Sequence, residues 1–225
     1  MGRIFVDAEK YIDQLDPGSW VEIGCGRAGD DGSTRIIAGW AASRCRHLFT
    51  VDMDPYNCDL VRLMALPNVE VVHSTGEDYL KSFPSHIAYI SFLYLDNFDW
   101  DWHPEITARG PNIVIGPNGE PVIGLPENAI FEQHQRYQDL GMPEMNNINS
   151  QRAHMRQVEL AMKAMGPVSL IVCDDTWFNP LWGHYSGKSG SCIPYLLNHG
   201  FEVLETKEYP VYGTILGRGI KPIKD

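Results

Sequence analysis

The chain has 225 residues, 44% of them hydrophobic and 21% charged, which suits one globular domain with a full core. Its 18 basic and 29 acidic side chains give a formal net charge of −11, which argues against nucleic acid as the main substrate, because phosphate neutralisation draws on Lys and Arg. Five cysteines with no CxxC pair argue against a disulfide framework or zinc ribbon and fit reduced thiols in the cytoplasm; neither a signal-like segment nor a run of membrane-spanning length is expected.

The segment FVDAEKYIDQL predicts a short helix before the DPG break. WVEIG reads as a strand feeding a glycine-rich turn, GCGRAGDDGST. A helix follows, with Ser33 as its expected cap and Ile36, Ile37, Trp40 and Ala41 on one face. HLFTVD is a second strand, and Pro55 opens a second helix carrying Leu60, Leu63 and Met64. VEVVH and GEDYLKSF continue the alternation. AYISFLYLD is a long apolar run that ends in an acid, as a central parallel strand does.

This order predicts an α/β fold with a doubly wound, mostly parallel sheet. After Asp96 the pattern lapses. Asp174 comes 78 positions later, whereas a βαβ unit needs about 30 residues, so the crossover carries an insertion at about 99–150, expected to act as a lid or an oligomerisation element. NIVIGPNGEPVIG reads as a hairpin around Asn118-Gly119, ENAIFEQHQRYQDLG as a helix stopped by Gly141, and QRAHMRQVELAMKAM as an amphipathic helix. VSLIVCDD is the next strand and SCIPYLLNHG the next helix. GFEVLETKE and YPVYGTILGR close the sheet as an antiparallel pair.

Gly24, Gly26 and Gly29 satisfy GxGxxG between a strand and a helix, a turn that lets a ligand approach the backbone. The pattern serves nicotinamide cofactors as well as S-adenosylmethionine. Two features favour the latter. Glu22 offers a carboxylate to the cationic methionine end, directly or through water, and Asp30 and Asp31 would repel a pyrophosphate. Asp52, at the end of the second strand, can accept both ribose hydroxyls, and Glu77 can meet the adenine amino group.

VEIGCG, GST, TVDMDP, HSTGED, LYLDNFDW and VCDDTW, in that order, resemble the class I S-adenosylmethionine-dependent methyltransferases. The likeness is strongest to the cation-dependent O-methyltransferases of the catechol and of the macrolide and aminocoumarin sugar type, with a seven-stranded Rossmann-like sheet. It covers roughly 18–96 and 168–218. The resemblance implies that Gly24 and Ser33 contact the methionine portion, Asp52 the ribose and Glu77 the adenine. It also implies that Asp96, Asp174 and Asp175 are metal ligands. The first loop is longer than in that family, and the insertion has no counterpart.

Fourth and fifth strands that are neighbours would bring these three carboxylates into one cleft, where they repel unless a cation neutralises them. Oxygen-only ligands point to Mg²⁺, Mn²⁺ or Ca²⁺. A chelated acceptor hydroxyl would lose its proton and attack the sulfonium methyl in line. Asp99 occupies the position of the family's base, with Asp96, His103 and His184 as rivals. Trp177, Trp182 and Tyr185 can wall an acceptor or pack in the core. GHYSGKS has the wrong spacing and context for a phosphate loop. The function expected is methylation of a hydroxyl on a small molecule or sugar by a cytoplasmic homo-oligomer, with neither nucleic acid nor membrane as partner. The alternatives are an NAD(P)-dependent oxidoreductase, which leaves Glu22 and the three aspartates unexplained, and a non-catalytic binding module.

Overall fold

A computed structural model of the chain describes residues 4–25, 32–84, 89–101, 113–115, 121–123, 127–208 and 211–223, with the backbone alone at 113–115, 121–123 and 127–131. The described strands are β1 (Ser19–Ile23), β2 (Leu48–Asp52), β3 (Val69–His73), β4 (Ile90–Leu95), β5 (Ile113–Ile115), β6 (Pro121–Ile123), β7 (Met165–Asp174), β8 (Thr176–Asn179), β9 (His184–Gly187), β10 (Glu202–Lys207) and β11 (Gly213–Arg218). The α-helices are α1 (Ile4–Asp7), α2 (Ser33–Ser43), α3 (Pro55–Leu63), α4 (Gly76–Ser82), α5 (Glu127–Asp139), α6 (Asn147–Ala161) and α7 (Cys192–Asn198).

Seven strands make one sheet in the order β10-β11-β7-β4-β1-β2-β3. The run from β7 to β3 is parallel, and β11 lies antiparallel between β7 and β10. Side chains alternate across each strand, so the sheet supports two cores. Trp20, Phe92, Tyr94, Leu170 and Val172 pack against α1, the 3₁₀ turn Ala8–Gln14 and α2. Val21, Ile23, Leu93, Leu95 and Ile171 pack against α4, α6 and α7. With both faces covered, β4 is buried at every position, which is why its sequence reads as an unbroken apolar run.

Several boundaries differ from the sequence expectation. Gly32, not Ser33, is the N-cap of α2; Ser33 is already helical and its hydroxyl is engaged elsewhere. Helix α6 begins four residues before Gln151, because the Asn146 side chain caps it by accepting from the Asn149 N–H at 2.9 Å. The segment after Asp175, given no element from the sequence, forms the antiparallel hairpin β8–β9. The expected hairpin of the insertion forms between β5 and β6, while its Asn118-Gly119 turn lies outside the described residues. The insertion also contributes to a small cluster in which Phe98, Tyr137 and Met145 are buried and Met53, Met142 and Ala153 pack against them partly buried. No described helix is long and apolar enough to cross a membrane.

Candidate active site

The C-terminal ends of β1 to β4 open into a cavity of about 920 Å³. That volume lies within the range of small-molecule sites. Its floor comes from the sheet edge and its far wall from the insertion, through Gln133, Arg136 and Tyr137 of α5 and Asn149 and Arg152 of α6. Three contacts fasten that wall. Arg136 pairs with the buried Asp54, the N-cap of α3. The Asp99 N–H donates to the Tyr137 hydroxyl at 2.7 Å. Gln133 donates to the Asp99 carboxylate.

Of the residues singled out in the sequence, Gly24, Asp52, Glu77, Asp96 and Asp99 line this cavity. Gly26, Gly29, Asp30, Asp31 and His103 lie outside the described residues. Gly24 has φ +89°, and a Cβ there would stand 2.4 Å from the Asp96 carbonyl oxygen. A glycine is therefore required by the close approach of β1 to the end of β4, before any ligand is considered. Asp52 is held open towards the cavity by its neighbours. The Asp54 N–H donates to Oδ1 at 2.8 Å and the Cys25 N–H to Oδ2 at 3.1 Å. Burial raises its pKa, and those backbone donors pull it back. The side-chain oxygen of Asn97, beside Asp96, is buried without a partner among the described residues, leaving an acceptor for a ligand's N–H or O–H.

Glu22 and Ser33 do not behave as expected. Glu22 has no exposed surface, and its two oxygens accept from Ser33, Thr34 and Thr50, each at 2.7 Å. The register that sets Glu22 opposite Thr50 on β2 aims it at the start of α2 rather than at the cavity. It ties helix to sheet, and Ser33 turns to it. A direct role for either side chain on the methionine end of a cofactor is thereby replaced by an internal one. Burial pushes the Glu22 carboxyl up to about 7, against the pull of the three hydroxyls.

An acid with a raised folded pKa contributes its full stability below its ordinary value, and loses it as pH climbs through the folded value. Here that window runs from 4.5 to about 7. Glu22→Gln should therefore differ from wild type by an amount that changes by roughly 3 kcal/mol between pH 4.5 and 7.5. Urea unfolding of both proteins across that range measures it; a pH-independent difference would show that the buried carboxyl does not titrate there.

The three aspartates at the strand ends do converge. Leu95 pairs with Cys173, so Asp96 and Asp174 leave neighbouring strands side by side. The Tyr94 hydroxyl lies 2.8 Å from Asp174 Oδ2 and 3.2 Å from Asp96 Oδ2. Burial, with Asp96 and Asp175 nearby, holds the Asp174 carboxyl well above the usual range. Between Asp96 and Asp175 sits the ammonium of Lys188, 2.8 Å from Asp96 Oδ1 and 2.9 Å from Asp175 Oδ2. Burial opposes this charge, but the surrounding aspartates outweigh it and hold the lysine's pKa well above normal.

A resident Mg²⁺, Mn²⁺ or Ca²⁺ does not fit this arrangement. Such ions need several oxygens at about 2.0 to 2.6 Å, and here the facing oxygens of Asp96 and Asp175 are turned onto an ammonium. Among the described residues no three His, Cys, Asp or Glu side chains are grouped to hold a metal. The divalent ion expected from the sequence gives way here to Lys188, which stands in the segment set aside as a failed phosphate loop.

The aromatic residues after the aspartates divide. Trp177 packs against Tyr212 and edge-on to Trp100. Tyr185 packs on Phe178. Trp182 is exposed at the hairpin tip, stacked on His184, which removes His184 as a base in the cavity. His154, on α6, is fully buried, and burial lowers its pKa to about 4.

Comparison with known proteins agrees with this architecture. No family model matches the chain, and neither does any curated protein. Solved structures do. One is a candidate rRNA methylase from Clostridium thermocellum, 9% identical, with a TM-score of 0.52 and 99% of each chain covered. Another is WbdD, 10% identical with a TM-score of 0.50; the match takes in 99% of this chain and 42% of that one. The chain has the Rossmann-like methyltransferase fold. In that fold the cavity beyond β1, β2 and β3 lies at the carboxyl edge of the parallel strands, where ligands of doubly wound sheets gather.

Proposed function

We propose that the chain is an S-adenosylmethionine-dependent methyltransferase that acts on a hydroxyl of a small molecule or sugar. The observation that carries the reading is the cavity that joins Asp52 and Glu77 at one end to Asp96 and Asp99 at the other, beneath helices of the insertion. Asp52 suits two vicinal ribose hydroxyls, because its backbone donors fix the carboxylate while it faces the cavity. Glu77, in the first turn of α4, suits the adenine amino group. When bound, the cofactor supplies a methyl group on a sulfonium. Asp96, with Asp99 beside it, takes the proton from the acceptor hydroxyl. The insertion excludes water and holds the acceptor in line.

The Clostridium thermocellum neighbour is named for rRNA. A net charge of −11 supports a small neutral or cationic acceptor for this chain. The test is calorimetry with S-adenosylhomocysteine and with NAD, followed by transfer of labelled methyl to a panel of sugars and catechols. Binding of S-adenosylhomocysteine without NAD supports the reading. NAD binding alone would return the oxidoreductase alternative.

A further inference from the structure

We propose that Lys188 is the built-in cation of this site: its ammonium stands where a divalent ion was expected, draws Asp96 and Asp175 together, and makes the site independent of added metal. The assignment of Asp96 to the acceptor side rests on the methyltransferase reading; the lysine's role as the cation does not.

The geometry is encoded by the hairpin. Thr176 pairs with Gly187, so the next rung sets Lys188 opposite Asp175, and the Lys188 N–H donates to the Asp175 carbonyl at 3.0 Å. Gly187 has φ +90°, and a Cβ at that position would come within 1.9 Å of the same carbonyl oxygen. Only a glycine permits the strand to close that tightly and swing the following lysine over the ends of β4 and β7. The Ser189 N–H, bound to the Thr176 hydroxyl at 3.0 Å, fixes the other side of the lysine.

Placement and burial agree. The Lys188 side chain is 3% exposed, while its partners Asp96 and Asp175 keep about 31% and 30% of their side-chain surface. A lysine loses much hydration free energy when buried, so one that is retained there with two carboxylates holds the charge that the acids require. The Tyr94 hydroxyl, with one hydrogen to give, sits closer to Asp174 Oδ2, at 2.8 Å, than to Asp96 Oδ2, at 3.2 Å. Each of the three carboxylates then has a donor supplied by the chain itself. With Oδ1 on Lys188 and Oδ2 towards Tyr94, the Asp96 carboxylate is fixed in rotation at the cavity wall. Lys188 is thus a positioning residue that acts through Asp96.

Mn²⁺ titration of the full chain, followed by electron paramagnetic resonance, tests this without any methyl donor. Wild type should show no stoichiometric site, and chelator should leave it unchanged. Lys188→Met should gain one site per chain, binding Mn²⁺ about tenfold or more tightly than wild type, because removing the ammonium leaves the carboxylates unneutralised. Adding Asp175→Asn to that variant should abolish the gain. A stoichiometric Mn²⁺ site on wild type overturns the proposal, as does a folded Lys188→Met that gains none. If that variant does not fold, the wild-type titration decides alone. Failure of S-adenosylhomocysteine to bind would sink the methyltransferase reading and leave this result standing.

Discussion

Asp96→Asn should slow methyl transfer by about 10²- to 10⁴-fold, the usual contribution of a positioned general base. Asp96 is the one member of the aspartate cluster that lines the cavity, and Lys188 and Tyr94 hold its two oxygens. An asparagine keeps the shape but cannot take a proton, and its amide cannot satisfy both the ammonium and the phenol as acceptors. Affinity for S-adenosylhomocysteine should stay within a few-fold of wild type, since the proposed cofactor contacts are those of Asp52 and Glu77. The same measurement on Asp99→Asn separates the two acids. Asp99 accepts from Gln133, and its backbone N–H binds Tyr137, so this residue also anchors the insertion. A rate loss confined to Asp99→Asn, with Asp96→Asn near wild type, would move the base to Asp99 and restore the first expectation from the sequence.

The second large effect belongs to Asp52. Asp52→Ala should weaken S-adenosylhomocysteine binding by about 100-fold, which corresponds to two charge-assisted hydrogen bonds of modest net value. It should also lower stability by roughly 1 to 3 kcal/mol, because the N–H groups of Cys25 and Asp54 lose their acceptor. Asp52→Asn retains one acceptor oxygen and should lie between the two. Calorimetry on all three proteins, with thermal unfolding alongside, resolves binding from folding. Affinity unchanged in Asp52→Ala would place the ribose elsewhere and with it the orientation of the whole cofactor.

Much of the site was legible because strand ends in a parallel sheet all face the same way. Asp52 and Asp96 each follow an apolar run, and Glu77 opens a helix directly after one; a parallel order puts all three on one edge without further information. Asp174 and Asp175 follow the same rule. Glu22 was legible as unusual, a carboxylate inside a buried strand, but not as to its partner. Its destination depended on which residue stood beside it on β2 and on where α2 crossed, and neither is local. The polar residues on α6 were hidden for the same cause. Ser150, His154 and Gln157 are fully buried at spacings of four and three, yet the apolar periodicity of that helix marks only residues such as Val158 for burial.

Alternation of short apolar runs with capped helices determined the doubly wound sheet, and the gap between Asp96 and Asp174 determined that something extra stood in that crossover. Only the tertiary structure decided how the acids were neutralised. Repulsion among three carboxylates demands positive charge, but electrostatics is indifferent to whether that charge is an ion or a side chain. The choice fell to the register of the β8–β9 hairpin, where Gly187 lets the chain close against Asp175 and delivers Lys188. Pairing register is a property of two strands together, so it could not be read from either one alone.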